Sequence, residues 1–122
     1  MTKYEDVYVY LIESITDNIR QYKIGISNKP EKRIKTFKTG NPNIVGIVDK
    51  YLCESRLMAH RVETWYHKHQ NKDHIKGEWF SMTEKEIEDF NKNCSYYENL
   101  IKIHLELEQK IKGKDIEHRI WK

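Results

Sequence analysis

Alternation of apolar and polar residues predicts two short strands near the start of the chain. They cover residues 7–12 and 22–27, and both are rich in β-branched and aromatic residues. Successive side chains of a strand point to opposite faces of its sheet. One face then receives the apolar set Val7, Val9, Leu11, Tyr22, Ile24 and Ile26. The other face receives Tyr8, Tyr10, Lys23 and Gly25. A phenol and an ammonium group beside a glycine are unusual on a sheet face, and they indicate a site.

A short helix and a third strand are predicted to follow. Pro30 suits the first turn of a helix, because the N–H that proline lacks would have no partner there. This helix should run to about Lys38 and end at the turn formers after it. Residues 44–53 form the third strand, and its consecutive apolar residues indicate that both faces are covered. Residues 13–21 hold turn formers and are interpreted as a loop between the first two strands, too long for a tight hairpin turn.

Helical patterns fill the second half of the chain. The strongest covers residues 54–70, where apolar side chains recur at helical spacing. Residues 76–81 are interpreted as a turn and an aromatic anchor, in which Trp79 and Phe80 enter the core. Thr83 and Glu86 resemble a capping box that starts a helix running to about Asn93. The last helix covers residues 96–112, with Gly113 as its stop.

The last helix carries two apolar stripes. One consists of Leu100, Ile103, Leu107 and Ile111, and the other of Tyr97, Ile101 and Leu105. A small domain has too little core to bury both stripes, so one of them is a candidate surface for a homodimer through the C-terminal helix.

Together these elements predict an α/β (α+β) fold with a three-stranded, mainly antiparallel sheet, flanking helices and a C-terminal helical extension. The 122 residues suffice for one domain, assigned to residues 1–93, followed by a C-terminal helix and tail at residues 94–122. Eight Tyr, three Trp and three Phe argue against wholesale disorder, although 34% of the residues are charged.

Charge and cysteine content limit the partners. The formal net charge of +3 permits a nucleic-acid partner without requiring one. Cys53 and Cys94 lie far apart with no CxxC spacing, which indicates neither a zinc ribbon nor a disulfide scaffold and favours buried or idle free thiols. No signal peptide is recognisable, and no apolar run approaches the roughly 20 residues of a membrane span. The expectation is a cytoplasmic protein with no membrane partner, in the host cytoplasm if the protein is phage-encoded.

Four of these elements carry residues in an order that resembles the GIY-YIG endonuclease superfamily. Residues 8–10, Tyr-Val-Tyr, stand where that family has Gly-Ile-Tyr, and residues 23–25, Lys-Ile-Gly, stand where it has Tyr-Ile-Gly. Arg33 follows by the expected helical step, and Glu63 lies on the helix after the third strand. The phage- and plasmid-associated branch is the most similar, through residues 22–33, the Glu63-to-His67 step and the Gly-Glu-Trp-Phe run at 77–80. The resemblance covers residues 7 to about 82.

The resemblance implies a divalent-metal-dependent DNA endonuclease. Tyr10 would act as general base or orient the attacking water, and Lys23 would help by lowering its pKa. Arg33 would grip phosphate oxygens, and Glu63 would hold Mg²⁺ or Mn²⁺. His67, one helical turn from Glu63, would relay a proton or contact phosphate.

DNA would be bound first by charge. The basic face of the first helix consists of Lys29, Lys32, Lys35 and Lys38 with Arg33. Such a face is also typical of an ordinary solvated surface. His60, Glu63 and His67 could be read as a zinc site, but they lack the HExxH spacing. The alternative function is a non-cleaving nucleic-acid-binding or protein-interaction module on the same fold.

Overall fold

A computed structural model describes the backbone of residues 6–69, 74–76 and 79–121 and the side chains of residues 6–69 and 79–112. The strands are β1 (Val7–Thr16), β2 (Ile19–Ser27), β3 (Ile44–Cys53), β4 (His74–Lys76) and β5 (Trp79–Phe80). The helices are α1 (Pro30–Gly40), α2 (Arg56–His69), α3 (Glu84–Glu88) and α4 (Phe90–Trp121).

The five strands form one sheet in the order β3-β1-β2-β5-β4, with antiparallel pairing throughout. The predicted fold class is confirmed: three long antiparallel strands are flanked by helices and followed by a C-terminal helix. The short strands β4 and β5 extend this sheet beyond β2, in the segment that the sequence indicated as a turn and an aromatic anchor. Residues 77 and 78 of that segment lie outside the described residues.

The prediction of a long loop at residues 13–21 is wrong. β1 continues to Thr16 and β2 begins at Ile19, and these two residues pair directly. The turn between them is Asp17 and Asn18, with φ of 53° and 66°. Positive φ at both central residues is the geometry of a tight hairpin turn whose twist matches the flanking strands. Asp and Asn tolerate that region because their short polar side chains form local hydrogen bonds.

Helices cover both faces of the sheet. α2 and α4 bury one face, where Val9, Leu11 and Ile24 belong to the larger core cluster. α1 covers the other face, where Tyr10, Ile12 and Ile34 form a smaller cluster. The chain therefore has a large core between the sheet and two helices, and a thin core under α1.

Two helix boundaries differ from the prediction. The capping box of Thr83 and Glu86 is confirmed, but its helix ends at Glu88 and not at Asn93. α4 then starts at Phe90 and continues through Gly113, which was expected to stop it. A single glycine costs a helix interior only about 1 kcal/mol, which neighbouring helix formers can offset. The predicted domain border at residues 93/94 falls inside α4.

α4 buries the second of its two stripes. Tyr97 and Ile101 belong to the larger core. Ile103, Leu107 and Ile111 remain about half exposed, at 52%, 48% and 55%. The homodimer through this helix stays a prediction. No helix in the described part of the chain is both long and apolar enough to cross a membrane.

Candidate functional site

Tyr10 of β1 lies opposite a glycine of the neighbouring strand β2. Its Cα partner on β2 is Gly25, and its side chain is only 2% exposed. A Cβ atom built on Gly25 would lie 2.5 Å from the Tyr10 Oη and 2.7 Å from its Cζ. Any side chain at this position would displace the phenol. Gly25 therefore provides the space in which the Tyr10 hydroxyl lies.

Lys23 and Arg33 meet at the ring of Phe37. The Lys23 Nζ lies 5.2 Å from the ring centroid, and the Arg33 Cζ lies 4.9 Å from it. Phe37 packs against the same small cluster that contains Tyr10. Lys23 pairs with Ile12, two residues along β1 from Tyr10, so it shares the face of Tyr10. Three predicted site residues are thus brought together under α1.

Glu63 and His67 lie on α2, which packs on the opposite face of the sheet. The His67 ring is 6.3 Å from the ring of Phe80, and Phe80 pairs with Tyr22 of β2. Residues four apart share one face of a helix, so Glu63 is in the same row as His67, towards the β5 side of the sheet. The helix that carries Glu63 and the side chain of Tyr10 thus lie on opposite faces of the sheet.

The edge of β2 that faces β5 lies between the face of Tyr10 and the face of α2. In the described residues, β5 pairs with β2 through Tyr22 and Phe80, and Trp79 lines a pocket together with Lys23. Gly25, on which the Tyr10 hydroxyl lies, is three residues further along β2 than Tyr22. A ligand at this edge would approach both faces of the sheet.

The carboxylate of Glu63 lies beside a histidine of the same helix. Its side chain is 20% exposed, and the His60 Nδ1 lies 3.6 Å from its Oε1. Among the described residues, no group of three or more His, Cys, Asp or Glu side chains is arranged around a metal position. This set does not form the closed cage of a structural zinc site. A single carboxylate fits Mg²⁺ or Mn²⁺, which keep waters and bind phosphate oxygens.

The predicted DNA-binding lysines are all exposed on α1 or just before it: Lys29, Lys32, Lys35 and Lys38. Two open grooves flank this helix. One has a volume of about 400 Å³ and is lined by Arg33 with Ser27 and Thr36. The other has a volume of about 690 Å³ and lies on the β3 side, where Lys50 lines it. Lys29 and Lys32 line both grooves and form the ridge between them.

The larger groove contains a cluster that the sequence did not reveal. The Lys50 Nζ donates a hydrogen bond of 2.6 Å to Glu31 and lies 4.8 Å from the centroid of the Tyr8 ring. The hydrogen bond lowers the pKa of the Glu31 carboxyl and raises the pKa of Lys50. Lys50 pairs with Tyr10 across β1 and β3, so its position follows from the register of these two strands. The sequence alone did not give that register.

A family model described as the T5orf172 domain matches residues 7–95. The chain belongs to the T5orf172 domain family. Comparisons with curated proteins and with solved structures found no match. The T5orf172 domain is phage-associated and related to GIY-YIG and HNH-like nucleases.

The T5orf172 match runs from β1 into the first turns of α4. All nine predicted site residues lie within it. The family identifies the chain as a phage-type, nuclease-like or DNA-binding module, with DNA as its substrate or partner.

Proposed function

We propose that this T5orf172 domain is a divalent-metal-dependent DNA endonuclease of the GIY-YIG type, which hydrolyses phosphodiester bonds. The observation that carries the proposal is the convergence of Lys23 and Arg33 on the ring of Phe37, which packs against the small cluster that contains Tyr10. Two cations from different elements at one ring attract an anion more strongly than either alone. The backbone phosphate of DNA is the anion that the family implies.

Arg33 is the phosphate-binding group in this proposal. Its planar guanidinium keeps its charge at any working pH and matches two phosphate oxygens at once. Contact with Phe37 limits the orientations of the guanidinium, so less entropy is lost when phosphate binds. Lys23 adds a second positive charge on the same face. Together they stabilise the negative charge that develops on the phosphoryl oxygens during hydrolysis.

Tyr10 holds the water that attacks phosphorus. Its hydroxyl lies over Gly25, two residues along β2 from Lys23 and on the same face of the sheet. The ring is almost fully buried, so the direction of its hydroxyl is fixed, which favours the water-orienting role over the role of a general base. His67 is the candidate proton relay on the α2 side of the edge.

Glu63 would hold Mg²⁺ or Mn²⁺, and the bound ion would supply positive charge that stabilises the leaving oxygen. The carboxylate reaches the substrate from the α2 side of the β2 edge, while Arg33 reaches it from the α1 side. Lys29, Lys32, Lys35 and Lys38 would follow the DNA backbone along α1.

A non-cleaving DNA-binding module is the second candidate. The placement of α2, which carries Glu63, on the face of the sheet opposite Tyr10 favours it. Both the endonuclease and the binding module would use the basic surface, but only the endonuclease would cleave DNA.

Incubation of the purified chain with supercoiled plasmid separates the two candidates. We expect nicking or linearisation with Mg²⁺ or Mn²⁺ and none with EDTA. Arg33→Met should slow cleavage about 100-fold, which is the usual loss for one electrostatic donor of a transition state. The control Arg20→Met removes an arginine that pairs with Glu13 at the far end of the hairpin, and it should cleave at the wild-type rate. DNA binding by the wild type without cleavage under any metal condition would select the binding module.

A further inference from the structure

The groove between α1 and β3 has the composition of a binding site for single-stranded nucleic acid. Its volume of about 690 Å³ falls within the range of about 300–1,000 Å³ typical of small-ligand sites. The half-buried ring of Tyr8 lines it from β1. Sites for single strands combine a positively charged groove with aromatic rings on which bases stack. Tyr8 supplies the aromatic ring in this groove.

The positive charge of the groove is the second feature of a site for single strands. Four lysines line it: Lys29, Lys32, Lys35 and Lys50. They face one acidic side chain, Glu31. These side chains give the groove a formal charge of +3, as large as the net charge of the whole chain. A polyanion would therefore be drawn to this groove before other parts of the described surface that carry mixed charges.

The contacts of Lys50 can be exchanged for those of a nucleotide. The Lys50 ammonium group lies 2.6 Å from the Glu31 carboxylate. The side chain of Glu31 is 63% exposed and that of Lys50 is 41% exposed. An exposed ion pair of this kind contributes little to stability, so a phosphate can replace Glu31 as the partner of Lys50. The ammonium group also lies over the ring of Tyr8. A base can take that place, because stacking on an aromatic ring is stronger than an exposed cation–π contact.

We propose that this groove binds an unpaired nucleotide, with its base on the ring of Tyr8 and its phosphates on Lys50 and Lys29. The inference rests on the proposed function and specifies its substrate: DNA that has an unpaired segment next to the cleaved bond. Lys29 and Lys32 line this groove and the groove of Arg33, so one strand can pass from Tyr8 to Arg33 over this ridge. Bases inside a duplex are stacked on both faces and are not available to Tyr8.

Fluorescence anisotropy with the full chain in EDTA tests the site without cleavage. The probes are a labelled single-stranded oligonucleotide and a blunt duplex of the same sequence. Tyr8→Leu should weaken single-strand binding about tenfold and leave duplex binding within about twofold, because only stacking is lost. Tyr8→Phe is the matched control and should bind like the wild type. Glu31→Gln should strengthen single-strand binding about two- to fivefold by releasing Lys50.

Thermal melting of each variant confirms that it is folded. Equal single-strand affinity of Tyr8→Leu and the wild type would overturn the inference, as would an equal loss for duplex and single strand. Cleavage by the wild type together with such a result would refute the Tyr8 site alone. Tyr8-dependent binding without cleavage under any metal condition would refute the proposed nuclease activity and support the Tyr8 binding site. A wild-type chain that binds neither probe would refute both.

Discussion

Substitution of Gly25 by alanine tests the central contact of the site, the phenol of Tyr10 over β2. The new Cβ would lie 2.5 Å from Oη, 2.7 Å from Cζ and 3.1 Å from Cε1 of Tyr10. The ring is rigid and only 2% exposed, so it cannot swing away without displacing its neighbours in the small core. Overpacking of this kind typically costs about 1–3 kcal/mol of unfolding free energy. For a chain of this length, that corresponds to a fall of roughly 4–12 °C in melting temperature.

Thermal and urea denaturation followed by circular dichroism measures this cost. Gly40→Ala is the matched control, because a Cβ there meets nothing within 4 Å and lies in the last turn of α1. It should melt at or above the wild-type temperature, since alanine favours a helix over glycine. The Gly25→Ala chain should also cleave DNA more slowly, because the Tyr10 hydroxyl is displaced.

A double-mutant cycle assigns the cost to the Tyr10 ring. Tyr10→Leu removes the three ring atoms that the new Cβ would meet. Gly25→Ala should therefore cost at least about 1 kcal/mol less in the Tyr10→Leu background than in the wild type. An equal cost in both backgrounds would refute the placement of the phenol over Gly25. So would an unchanged melting temperature of Gly25→Ala itself.

Three further outcomes follow from the fold. Burial raises the pKa of the Cys53 thiol to about 12 and also raises the pKa of Cys94, so both are protonated at pH 8. Both thiols should resist alkylation in the native chain and react only after unfolding, and rapid native labelling would contradict their burial. Truncation after Asn93 should abolish cooperative unfolding because α4 supplies core residues, whereas truncation after Lys112 should preserve it. If α4 forms the homodimer, Leu107→Lys should sediment as a monomer, and a wild-type chain that is monomeric at every concentration would exclude the dimer.

The sequence was sufficient to predict features that depend on local pattern. The faces of β1 and β2 follow from alternation, and the thin core containing Tyr10 lies on the predicted face. The capping box of Thr83 needs only residues three apart in sequence. The bounds of β3 were also predicted, because its apolar run is bounded by turn formers and ends before a helical pattern.

Features that depend on register or on distant packing were not predictable. Asp17 and Asn18 were interpreted as part of a loop. Their positive φ is set by the twist of two strands that extend to either side of the turn. Lys50 faces Tyr8 because of the register between β1 and β3, which pairs Lys50 with Tyr10. The side of the sheet that α2 occupies also decides where Glu63 lies, and no local pattern fixes that choice. The position of Glu63 relative to Tyr10 was therefore the least predictable feature of the site.

Cleavage by Glu63→Gln tests the account most directly. Glutamine keeps the shape of the side chain and removes the charge that would hold Mg²⁺ or Mn²⁺, while Glu88→Gln removes an exposed carboxylate at the end of α3 as a control. We expect plasmid cleavage by the wild type and by Glu88→Gln in the presence of metal. Glu63→Gln should cleave at least about 100-fold more slowly and bind DNA as tightly as the wild type. Equal cleavage by Glu63→Gln and the wild type would contradict the account.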